Sequence, residues 1–267
     1  MATFRGIAGV VIFTGMATWI AAGLWGLLAG GALMIGAGTS YFVRVPRSLI
    51  AGVMSFGAGV LISALSFDLM EEAFRRGGFT ATAIGFVSGA AVYTLADAIL
   101  ARHGAKHRKR SGPQHPSEQQ SPGSGLAIAV GALLDGIPES IVLGVTMIQG
   151  GAISLAALAA VFLSNVPEGL SSAAGMKRAG RSPGYIFGVW GAIVVISGVA
   201  SLLGFVVFRH FSEAVISATT AVAAGAILAM LADTMIPEAF EQAHDFVGVI
   251  TVFGFLAAFI LSKVGEH

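Results

Sequence analysis

Apolar runs long enough to cross a bilayer follow one another along almost the whole of this chain, and they leave its backbone few options. Hydrocarbon offers no partner to an N–H or C=O group, so a spanning segment must be a helix or part of a closed barrel. Barrel strands read as stretches of about ten residues with alternating hydrophobicity. Here the runs are continuous and near the roughly 20 residues that a spanning helix needs. They predict helices at 7–36, 48–74, 79–102, 124–149, 151–178, 184–208, 214–240 and 245–263. The first run exceeds the apolar core of a signal peptide, and only Arg5 flanks it, so it is read as a helix. The composition agrees, with 55% hydrophobic and 11% charged residues, against about 25% charged in soluble domains. The expected fold is therefore an all-α integral membrane protein, one domain over 1–267, with eight transmembrane helices in a bundle.

Charge orients such a bundle, because Lys and Arg collect on the cytoplasmic side. With eight helices, Arg44, Arg47, Arg102, Lys106, Arg108, Lys109, Arg110, Lys177, Arg178 and Arg181 fall on one side, and Arg5, Arg75, Arg76, Arg209 and Lys263 on the other, ten against five. Both termini are then extracytoplasmic. The segment 103–123, rich in Pro, Ser, Gln and basic residues, cannot bury a core and is expected to be a flexible cytoplasmic loop between the third and fourth helices. It holds His103 and His107, whose i, i+4 spacing suits transient metal capture; a solvated basic loop explains them as well. The run from Lys106 to Arg110 is accounted for by topology or by contact with anionic lipid.

Two internal repeats run through the apolar segments. Residues 58–74 align without gaps to 224–240, with Ala58, Gly59, Leu65, Glu72, Ala73 and Phe74 each matched by an identical residue, six of 17. The two segments cross in opposite directions, which predicts an inverted repeat of three helices, two helices and three helices, as in secondary transporters. The second repeat is shorter. Asp135-Gly136-Ile137-Pro138-Glu139-Ser140 and Ser164-Asn165-Val166-Pro167-Glu168-Gly169 lie mid-way through consecutive spans, their prolines 29 positions apart.

A charge at the bilayer centre costs at least about 2.5–3.5 kcal/mol, so Asp135, Glu139 and Glu168 together would cost roughly 8–10 kcal/mol if unpaired. No Lys or Arg is expected at that depth. The carboxyls must be protonated and hydrogen-bonded between helices, or share a cation. Asp135 and Glu139 are four apart on one helix face, as are Ser164 and Glu168, with Asn165 beside them. Each proline also frees a backbone carbonyl one turn earlier. Carboxylates, a hydroxyl, an amide and carbonyls make an oxygen-rich ligand set for a divalent cation. At the helix ends, Asp68, Glu71 and Glu72 suggest an outer acidic entrance, and Asp233 and Glu238 a cytoplasmic exit; ordinary headgroup-level residues are the plainer account of each.

These motifs resemble those of the ZIP family of divalent-metal transporters, whose fourth and fifth helices carry related His-Asn-x-Pro-Glu-Gly-type sequences. The likeness extends over essentially the whole chain, includes the Met235-Ile236-Pro237-Glu238-Ala239 ending, and is to members of prokaryotic type. It implies a secondary transporter carrying metal into the cytoplasm, with Asp135, Glu139, Ser164 and Glu168 lining one metal position and Asn165, with the glutamates as bridges, a second. This chain departs from the family where Asp135 and Ser164 stand in place of common His ligands and Gly136 in place of Asn. Zinc is the first substrate the resemblance implies; without imidazole, the oxygen set shifts the balance toward harder ions, and Mn, Fe, Co and Cd are open. A proton-coupled carrier of an organic cation would use the same carboxylates. No catalytic site, cofactor or nucleic-acid partner is expected; the partners are the metal ion, the bilayer and, as an option, a second copy in a homodimer. The short loops suggest a prokaryotic inner membrane.

Overall fold

In the computed structural model of the chain, residues 17–106, 108, 124–148, 153–243 and 246–265 are described, and among them every regular element is a helix. Helix α1 spans Thr18–Phe42 and α2 Arg47–Ala64; α3 is Glu71–Leu100, α4 Ser124–Thr146, α5 Leu155–Arg178 and α6 Pro183–Phe208. They are followed by α7 (Glu213–Met230), α8 (Ile236–Ala243) and α9 (Val247–Gly265). Short π-helical segments at Leu65–Met70, Ala101–Ala105 and Leu231–Met235 continue α2, α3 and α7. Among the described residues, six helical stretches are long and apolar enough to cross a membrane, and Val247–Lys263 is a shorter apolar one.

The expected first helix ends six residues too early. Helix α1 runs on through Thr39 and Ser40 because each hydroxyl donates back to a carbonyl of its own helix, those of Ile35 and Ala37, so no polar group is stranded. It stops at Val43, which is extended at φ −114 and ψ 138. The segment ends in Pro46, the helix N-cap of α2, which carries no N–H and begins a new element.

The second and third expected helices form one run, Arg47–His103, of 57 residues. Straight, it would measure about 86 Å, against a hydrocarbon core of about 30 Å. It breaks at Gly78, where φ is 68 and ψ 179, a conformation that a side chain would strain. Beyond the break α3 packs along α7, while α2 packs along α9, α1 against α5 and α6, and α4 against α6. On its outer face α3 shows Ile84, Val87, Val92, Leu95 and Ile99, each more than half exposed. A stripe of this kind belongs against lipid.

Two pairs of positions that align between 58–74 and 224–240 are alike in local structure. Leu65 and Leu231, which align, each begin a π-helical segment. The aligned glycines are also used alike. A methyl group on Gly59 would lie 1.9 Å from the carbonyl oxygen of Thr251 in α9, and one on Gly225 would lie 1.9 Å from that of Phe86 in α3. In both pairs the missing side chain lets one backbone rest on the next.

Candidate metal site

Helices α4 and α5 carry the two Pro-Glu motifs at their centres. Local chemistry sets the limits of α5. Ser154 accepts a hydrogen bond from the Ala157 amide at 3.2 Å, and Lys177 and Arg178 occupy the last turn, where cations suit the carbonyl ends. Gly180, at φ 77, closes the helix, with Arg181 N–H donating to Met176 at 3.0 Å. Pro138 and Pro167 lie inside continuous helix. The carbonyls of Leu134 and Leu163, four residues back from each, lose their ordinary helical donor.

All five central residues are buried, at 3% exposure for Asp135, 2% for Glu139, 2% for Ser164, 4% for Asn165 and 6% for Glu168. Asn165 donates from its amide nitrogen to the Ala29 carbonyl of α1 at 2.9 Å, and Ser164 donates to Val161 at 3.0 Å. Glu139 borders a gap of about 10 Å³ among Leu61, Leu65, Ala157, Val161 and Ile227, at the junction of α2, α4, α5 and α7. That volume is at the threshold for one water molecule. Among the described residues no three His, Asp or Glu side chains stand close enough to hold a metal ion together. Asp135, Glu139 and Glu168 therefore do not close into one cluster.

Asp135 corrects the expectation that no cation reaches this depth. Arg108, itself 2% exposed, donates from Nε to Oδ2 of Asp135 at 2.9 Å and from Nη2 to Oδ1 at 2.9 Å. Tyr93 donates its hydroxyl to Oδ1 at 2.6 Å and accepts from Arg108 Nη2 at 2.8 Å, and Arg108 Nη1 also reaches Asp97. The start of the 103–123 segment is thus not all solvated loop, since Ala105 and Arg108 are buried beside α4. Room for the guanidinium comes from Gly131, one turn before Asp135, where a methyl group would lie 2.5 Å from Arg108 Cδ. Sequence reading missed Arg108, Tyr93 and Asp97. The available signals were the glycine one turn from a central Asp and the four-residue spacing of Tyr93 and Asp97.

Cavities lie at the two ends of α5. One, of about 390 Å³, is bordered by Asp68, Glu71, Glu72, Arg75, Arg76, Thr146 and Ser154. The expected acidic entrance is therefore mixed in charge. Glu72 pairs with Arg75 and Arg76, and Arg76 also meets Glu213 at 3.0 Å; Ser262 donates to Asp68 at 3.5 Å. The other cavity, of about 500 Å³, is bordered by Ser40, Arg44, Lys177 and Arg178. Glu238 is buried at 2% while Asp233 is exposed. His103 is exposed, with Nδ1 2.9 Å from the Ile99 carbonyl; His107 lies outside the described residues.

No protein-family model matches the chain. It is similar to a human protein described as zinc transporter ZIP11, with 28% identity over 202 residues, taking in 57% of this chain and 58% of that relative.

Proposed function

We propose that this chain is a secondary transporter of the ZIP type that moves divalent metal cations, zinc first among them, across a membrane into the cytoplasm. The substrate site in this reading is carried by Glu139 and Glu168, with Asp135, Ser164 and Asn165 around them. The observation that carries it is the pair of Pro-Glu motifs, each with its glutamate buried near the centre of α4 or α5. No packing need explains two buried glutamates, each following a helix-interior proline that frees a carbonyl. Similarity to a protein described as a zinc transporter supports the choice of cargo.

The excess of Lys and Arg on one side supports an inward direction, and the cavities offer an opening at each end of α5. A hydrated cation enters beside Asp68, Glu71 and Glu72, sheds water, and binds between α4 and α5. One group of helices then moves relative to the rest, and the ion leaves on the Lys177 and Arg178 side, near Asp233 and Glu238. An inside-negative potential favours a dication's inward passage by about 4.6 kcal/mol per 100 mV, so no nucleotide is required. The bundle in this reading has eight spans, counting the Arg47–His103 run as two, with both termini extracytoplasmic.

Binding is tested before transport. Purified protein in detergent is heated with Zn²⁺, Mn²⁺, Fe²⁺, Co²⁺ or Cd²⁺. A bound ion at about 100 times its Kd stabilises the folded state by about 2.7 kcal/mol. The expected result is a rise in unfolding midpoint with at least one ion, lost in Glu139→Ala and Glu168→Ala. No rise with any ion, or an undiminished rise in both variants, overturns the site.

A further inference from the structure

A buried arginine holds the carboxylate that opens the first Pro-Glu motif. The fork of Arg108 spans both oxygens of Asp135, at 2.9 Å each. This is the bidentate geometry in which guanidinium binds carboxylate best. While it is in place, Asp135 has little room for a metal ion. The packing is made for the arrangement, since Gly131 leaves the space that the Arg108 stem fills, and Tyr93 bonds to both partners.

A second carboxylate lies within reach of the same guanidinium. Arg108 Nη1 contacts Asp97 on α3, whose side chain is 19% exposed against 1% for Asp135. A buried ion pair is costly to break when one charge is left behind without a partner. Here the guanidinium can leave Asp135 and stay paired. It is attached just past the π-helical end of α3, at the start of the long segment leading to α4.

We propose that Arg108 is a residue of the transport site: a tethered cation that holds Asp135 when no metal is bound, and that an incoming divalent cation displaces toward Asp97. The inference rests on the metal-transport reading above. It makes Arg108 a competitor of the substrate, so the protein's metal affinity is set partly by its own side chain. It also gives Asp97 and Tyr93 a role as the resting place and guide of the guanidinium.

The test uses the full chain in detergent and Cd²⁺ or Zn²⁺ as the probe. With its competitor removed, Arg108→Gln should bind the ion more tightly by about tenfold to a hundredfold, the range for a hydrogen bond to a charged group. Arg108→Gln combined with Asp135→Asn should lose that gain. Equal or weaker binding by a folded Arg108→Gln protein overturns the inference while leaving the Glu139 and Glu168 site intact. No ion binding by wild type and Arg108→Gln alike removes the transport reading together with the inference. Should Arg108→Gln fail to fold, Asp97→Asn decides the matter. With the second partner of the guanidinium removed, displacement leaves a buried charge unpaired, so the ion should bind more weakly than to wild type, and unchanged affinity overturns the displacement.

Discussion

Glu168 and Arg108 mark the two ways a charge is accommodated inside this bundle. In the proposed site Glu168 meets a mobile cation that comes and goes, whereas Arg108 brings a cation that is part of the chain. Glu168→Gln keeps the size and shape of the side chain and removes its charge. Its metal-dependent rise in unfolding midpoint should disappear, and a rise equal to that of wild type would place the ion elsewhere. Gly131→Ala puts a methyl group 2.5 Å from Arg108 Cδ. Overpacking of this kind should lower stability by about 1–3 kcal/mol, read as a lower metal-free midpoint; an unchanged midpoint would mean that Arg108 does not lie over Gly131. The burial of both glutamates was legible in the sequence, because a Pro-Glu pair inside an apolar run has no solvated place to go. Arg108 was not, since it stands in the basic run from Lys106 to Arg110, and such a run reads as solvated whichever member turns inward.

At the scale of elements, the long apolar runs located the helices, but their ends followed local chemistry. Helix α1 extends through Thr39 and Ser40 because a hydroxyl can satisfy itself on its own helix, which hydropathy alone does not register. The π-helical segments at Leu65 and Leu231 were not legible either, although the alignment of 58–74 with 224–240 pairs their starting residues. The same alignment predicts matched packing. Gly59→Leu and Gly225→Leu each drive a side chain into a neighbouring backbone oxygen, 1.9 Å from the added Cβ in both cases. Each variant should lose at least about 1–3 kcal/mol, seen as a similar drop in unfolding midpoint. Tolerance of one and not the other would separate the two helix pairs and weaken the repeat.

On the scale of the whole molecule, the two ends of α5 differ in charge. Arg44, Lys177 and Arg178 border a cavity at one end, while at the other Asp68, Glu71 and Glu72 share a cavity with Arg75 and Arg76. Helix α5 has 24 residues, about 36 Å, so the two cavities are about a membrane thickness apart and Glu168 lies between them. The chain has no cysteine, and single cysteines therefore report sidedness cleanly. In intact cells an impermeant thiol reagent should label His210→Cys and spare Gly184→Cys, which is exposed with open space around its added side chain; the reverse pattern would invert the proposed orientation and with it the direction of transport. The most direct measurement is uptake of divalent metal into proteoliposomes under an inside-negative potential, comparing Zn²⁺, Mn²⁺, Fe²⁺, Co²⁺ and Cd²⁺ in wild type and in Glu168→Ala. Uptake of at least one ion by the wild type, reduced to the protein-free level in the variant, is the predicted result. A folded wild-type protein that moves none of these ions, or a Glu168→Ala protein that moves them as well as wild type, would contradict the account.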